Sequence, residues 1–347
     1  MARAPLLQGG LLACAAAVSF GVTTPLVQRF GAHIGPFTTA SLLYAGAVLA
    51  AMRLGPRPES EKPLDRTRVV RVIAISIFGS VLAPASLAWG LQHTGGVTAS
   101  LLLHLEAPFT VVLATLLYRE HLGRRLLGAL LAMFAGGVVL ALGGTGGLRA
   151  SWAALAIPCA ALGWAIDNTL TRPLADHDPR QVVAWKGGVG ACLGALVALL
   201  SREPLPSATS VLALLACGAT GYGLSLRFYL LAQRRIGAAR TGSIFAVAPF
   251  VGALAAWAAG DRSVSAATVV AALLFAGGLV LHLGERHEHA HDHEAVEHEH
   301  AHRHDDGHHD HVHDPPFVGE HVHHHRHDAT SHDHPHADDL HHRHRHG

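Results

Sequence analysis

Apolar residues in this chain alternate with polar ones at neither the helical nor the strand period. They come in long unbroken runs separated by short, mostly basic stretches. Because ~20 apolar residues at 1.5 Å rise cross a hydrocarbon core, the runs predict membrane helices at 6–28, 34–52, 69–91, 96–118, 123–142, 151–171, 181–200, 207–232, 238–259 and 264–283. Gly and Ala are dense within them, at spacings such as Ala132/Gly136 and Gly190/Gly194, the pattern that lets membrane helices approach closely. The pattern then stops. From Glu285 to Gly347 apolar residues nearly vanish, and with too little surface to bury, this tail is expected to be disordered.

Charge follows the same division. Half of the chain is apolar and only 15% is charged, too little for an ordinary soluble surface. Residues up to Gly284 carry 21 Lys and Arg against 10 Asp and Glu, and the tail carries 5 against 15, so the overall +1 conceals two opposed parts. Alternate loops hold 15 and 4 basic residues, which by the positive-inside rule puts the N-terminus and the tail in the cytoplasm of a cell with an inner membrane. A cleaved leader is the rival reading of the first run, but that run has a counterpart in the second half. Cys14, Cys159, Cys192 and Cys217 stand singly, with no motif spacing.

An offset of 141 residues aligns Gln92 with Gln233, Gly96 with Gly237, and Ala107-Pro108-Phe109 with Ala248-Pro249-Phe250. It also aligns Glu120 with Asp261 and Gly136-Gly137 with Gly277-Gly278. Earlier in each half the offset drifts to 144 or 145, pairing Phe20 with Trp164. The repeat spans five helices, and an odd number inverts the second copy across the membrane, a recurrent plan in transporters. These two units, each with a Pro in the fourth helix, an acid closing it and a Gly pair in the fifth, resemble the EamA-type transporters of the drug/metabolite transporter superfamily. Ser19-Phe20-Gly21 departs from the Trp-Gly expected there, and the tail has no place in the family pattern. The resemblance implies an all-α integral membrane fold of two inverted five-helix repeats, 6–143 and 151–284, followed by the tail at 285–347.

Ionisable groups inside membrane helices are costly, so those present point to function. Glu106, Asp167, Lys186 and Arg227 lie deep in their runs, two acids against two bases; the alternative is buried ion pairs that orient helices. Asp167, Asn168 and Thr171 make one run unusually polar, and Asp167 and Thr171 share a helical face. His104 is a further pathway candidate, though two residues from Glu106 it faces about 160° away. Pro108 and Pro249 are expected to break or hinge their helices. Glu120 and Asp261 are placed to cap the helices that follow them. Gly143 to Gly147 is a turn, since the Lys-Ser/Thr of a phosphate loop is missing.

The tail holds 24 histidines interleaved with carboxylates. The His-x-His groups at His287, His289, His291 and His293, at His298, His300, His302 and His304, and at His321, His323, His324, His325 and His327 are candidate ligands for Zn, Ni or Co. Taken together, the expectation is a secondary transporter, not an enzyme, that exports a small organic metabolite by alternating access with no required cofactor. Its partners are the lipid bilayer, that metabolite and divalent ions on the tail, with no nucleic acid. The alternatives are a transition-metal transporter or a membrane metal sensor. Substrate, coupling ion and oligomeric state stay open.

Overall fold

The computed structural model describes residues 3–52, 64–118, 122–143, 147–171 and 178–283, and in the tail 290–292, 296–302, 321–327 and 331–333. Every described element of the body is helical. Its helices are α1 (Arg3–Gly31), α2 (Pro36–Met52), α3 (Arg66–Ser76), α4 (Ala83–His93), α5 (Gly96–Leu102), α6 (Glu106–Tyr118) and α7 (Arg124–Leu142). The second half continues with α8 (Gly147–Thr171), α9 (Pro179–Leu200), α10 (Ala208–Cys217), α11 (Ser225–Ile236), α12 (Ala238–Phe245), α13 (Ala248–Ala258) and α14 (Ala266–Leu283). Side-chain caps start several of them: Asp65 accepts from the Arg68 amide, Asp178 from that of Arg180 and Ser207 from that of Ser210.

Eight helices among the described residues are long and apolar enough to cross a membrane by length and composition. At the other two expected positions α2 is shorter, at 17 residues, and α8 ends on the polar run Asp167-Asn168-Thr169. The outer surface is apolar: on α7, Leu127, Leu131, Val138 and Leu142 form an exposed stripe. A soluble protein would bury such a stripe, and in a membrane protein it meets lipid.

Four helices expected to be continuous are interrupted. A π segment, Ile77–Leu82, joins α3 to α4, and a second, Gly218–Leu224, joins α10 to α11; the 141-residue offset carries Ile77 onto Gly218. A 3-10 turn, Leu103–Leu105, separates α5 from α6, and a turn at Ala246 and Val247 separates α12 from α13. Pro108 and Pro249 follow these breaks in the first turns of α6 and α13, where a missing amide costs least.

Packing joins one half of the chain to the other. α2 lies on α9, α7 on α14, α5 on α13, α1 on α11 and α4 on α8. At one end of the α2·α9 pair Arg180 Nε donates to the Ala51 carbonyl at 3.1 Å. At the other end, Glu203 accepts from the Phe37 and Thr38 amides at 3.1 and 2.7 Å and from the Thr38 hydroxyl at 2.7 Å. The two helices thus run antiparallel, although each is the second of its half. Asp261 corrects the capping expectation: its Oδ2 accepts from the Val97 amide at 2.9 Å, so it serves the start of α5 in the first half. The bare amides of α5 have no acceptor on Gly95, whereas Ser265 already supplies α14 through Thr268. Glu120 lies outside the described residues.

Within the tail, four short strands are described, and its other residues lie outside the described ones. β1 (Ala290–Asp292) pairs antiparallel with β4 (Ser331–Asp333), and β2 (Val296–His302) with β3 (His321–His327). His-x-His has the strand period of two, so the composition that cannot build a core can still set one face of a ribbon against the other.

Candidate functional site

The centre of the bundle is organised around one glycine. Gly79 sits inside the first π segment, where Tyr44 Oη donates to its carbonyl at 2.6 Å and Trp164 Nε1 at 3.0 Å. A π turn widens the helix and disturbs its regular hydrogen bonding, which suits a carbonyl that takes two side-chain donors. The missing side chain matters as much, because a Cβ on Gly79 would collide with the carboxylate of Asp167. Tyr44 and Trp164 also form an aromatic group with Tyr222, from the second π segment, and Phe20. Tyr44 and Tyr222 lie 5.5 Å apart between centroids, Phe20 and Tyr222 5.9 Å, and Trp164 and Tyr222 6.3 Å.

Asp167 and Lys186 are both buried, and Lys186 Nζ donates to Asp167 Oδ2. Asp167 Oδ1 is buried with no hydrogen-bond partner among the described residues. From the first half, Glu106 opens α6 and accepts from Asn168 Nδ2 at 2.7 Å. Glu106 is half-buried and Asn168 exposed, so this pair reaches an accessible surface whereas its neighbour does not. With every group ionised, the cluster has two carboxylates and one ammonium.

Of the residues singled out from the sequence, Glu106, Asp167, Asn168 and Lys186 are brought together. Arg227 is half-buried on α11, with no ion pair to the cluster among the described residues. His104 is buried elsewhere: its Nδ1 lies 3.1 Å from the Leu101 carbonyl, and its ring sits 4.1 Å from that of Phe250 and 4.9 Å from that of Phe275. His104 Nε2 has no hydrogen-bond partner among the described residues. Sequence reasoning missed Gly79, Tyr44 and Tyr222; a buried tyrosine needs a hydroxyl partner, but the chain does not say that a main-chain carbonyl supplies it.

Where side chains are described, no three His, Cys, Asp or Glu gather to hold a metal ion. A metal pathway through the bundle therefore finds no support. In the tail, His298, His300, His302, His321, His323, His324, His325 and His327 fall in β2 and β3, and His291 in β1. His287, His289, His293 and His304 lie outside the described residues.

Comparison with known proteins agrees with this architecture. The model of the EamA-like transporter family matches residues 7–142 and again 151–284. An uncharacterized transporter of Methanothermobacter thermautotrophicus is 26% identical over 273 residues, spanning 72% of this chain and 79% of that protein. A solved structure described only as "Crystal structure of protein" superposes with a TM-score of 0.58 at 22% identity, over 81% of this chain and 96% of the other, a likeness of fold.

Proposed function

The chain belongs to the EamA-like transporter family, and from that premise we propose that it is a secondary transporter for a small organic metabolite bearing an ammonium group. The observation that carries the substrate class is the cluster of Asp167, Lys186 and Glu106. It has one more carboxylate than cation, and one buried carboxylate oxygen is without a partner among the described residues. An ammonium group entering from the Glu106 side would supply both the missing charge and the missing donor. The aromatic group of Phe20, Tyr44, Trp164 and Tyr222, of which Tyr44 and Trp164 donate to the Gly79 carbonyl, favours a cation over an anion.

The cycle is alternating access, with ten spans in two inverted five-helix units. The antiparallel course of α2 and α9 supports inversion, and the interrupted helices of both halves supply places where the backbone can bend beside a cavity. The loop charges support a cytoplasmic position for both ends in the inner membrane, and export follows the family resemblance. The cycle uses no cofactor.

Proteoliposomes loaded with radiolabelled amines, amino acids and carboxylic acids lacking an amine test this reading. Efflux of amine-bearing compounds alone is expected, lost in Glu106→Gln with insertion intact. Transport of the amine-free acids, or full activity in Glu106→Gln, would sink it.

A further inference from the structure

The alternation of His in the tail becomes specific once the register of β2 and β3 is known. His298 stands opposite His325, His300 opposite His323, and His302 opposite His321. Alternate positions of a strand share a face, and directly opposed residues share it across the ladder. Three consecutive cross-strand His pairs therefore occupy one face of the ribbon. The other face takes Glu297 opposite Arg326, Glu299 opposite His324 and Ala301 opposite Val322. Glu297 stands opposite Arg326 in this register, and His positions fall on the first face with a single exception, His324.

A two-stranded ribbon in water is marginal by itself, and this one has only Val296, Ala301 and Val322 as apolar residues across its fourteen positions. Something other than apolar burial must favour the pairing. We propose that the His face of β2 and β3 is a binding site for divalent transition ions of the Zn, Ni or Co class, and that the bound ions hold the two strands in register. Directly opposed positions in a ladder lie ~4.5–5.5 Å apart at Cβ, a spacing that two imidazoles can bridge through one ion. Neutral imidazole suits these ions, and the tail contains no Cys to favour Cu(I). Metal affinity becomes pairing stability because the site exists only when the strands are paired. This inference is independent of the transport reading.

The test uses the full-length protein in detergent micelles, titrated calorimetrically with Zn(II) and Ni(II) at pH 7.5, with amide hydrogen exchange followed across 296–302 and 321–327. One variant exchanges neighbours within β2, Glu297→His with His298→Glu and Ala301→His with His302→Ala. It preserves composition and the number of His but leaves no register in which three His pairs share one face. A second variant, His324→Asn, removes a His from the opposite face. Wild type and His324→Asn are expected to bind alike and to show slowed exchange in both strands on adding metal. The exchanged variant is expected to bind at least about tenfold more weakly, on the order of 1.4 kcal/mol, and to show no slowing. Equal binding by the exchanged variant and wild type would show that His count alone matters and overturn the site; so would metal uptake without any change in exchange.

Discussion

Phe20 and Trp164 occupy equivalent places in the two halves of the chain, and they meet edge to face with ring centroids 6.0 Å apart at 77°. A residue and its repeat partner can touch only at the seam where the halves face each other, so this pair marks the seam. The indole side is anchored further, since Trp164 shares the Gly79 carbonyl with Tyr44.

That sharing predicts a non-additive pair. Trp164→Phe or Tyr44→Phe alone should lower stability in detergent by about 1 kcal/mol, because one donor still serves the buried carbonyl. The double variant should lose more than the sum, leaving that carbonyl without either donor. Thermal unfolding of the four proteins checks it, and strict additivity would mean that the two bonds do not share one acceptor.

Lys186→Ala should be strongly destabilising, roughly 3–5 kcal/mol, because it strands a buried carboxylate. Adding Asp167→Asn should restore much of the folded yield while transport remains absent, which separates the structural role of the pair from its role toward substrate. Transport by the folded double variant would assign the pair to helix orientation alone.

The helix positions were legible in the sequence because a hydrocarbon core demands long apolar runs, and the odd-helix repeat already implied antiparallel equivalents. The acids and bases were legible because a charge in such a run is rare; the run alone could not show that Lys186 meets Asp167 while Arg227 meets neither. The interruptions were legible only where proline wrote them, at Pro108 and Pro249. The π segments at Ile77–Leu82 and Gly218–Leu224 follow from how neighbouring helices fit, and no residue type announces them. In the tail, composition argues against a core, while the period-two alternation of His is compatible with the strands described at 296–302 and 321–327.

Asp261 predicts a pH dependence. Partial burial pushes its carboxyl up, but bonds from the Ser263 hydroxyl and from the amides of Val97, Ser263 and Gly96 outweigh this and hold it below the usual carboxylate range. A lowered folded value means that the contribution is complete above the unfolded value of ~3.9 and is lost as pH falls through the folded one. Asp261→Ala should cost ~0.5–2 kcal/mol at neutral pH, as for a lost helix cap, and the gap to wild type should close at strongly acid pH. A gap that does not change with pH would refute the charged role.

Two glycines offer the sharpest contrast. A Cβ added to Gly277 meets nothing within 4 Å, whereas one added to Gly79 collides with Asp167. Ala is the better helix former by roughly 0.5–1 kcal/mol, so Gly277→Ala should leave stability unchanged or slightly raised and leave transport intact. Gly79→Ala must instead displace the Asp167 carboxylate from Lys186 or shift the π segment, and overpacking of this kind costs typically ~1–3 kcal/mol. Because the displaced group belongs to the proposed substrate cluster, the loss of transport should exceed what reduced folding explains. Activity per folded molecule, measured for both variants in the same proteoliposomes, decides the matter. Equal specific activity in the two would show that the close approach of Gly79 and Asp167 is a packing detail with no part in transport.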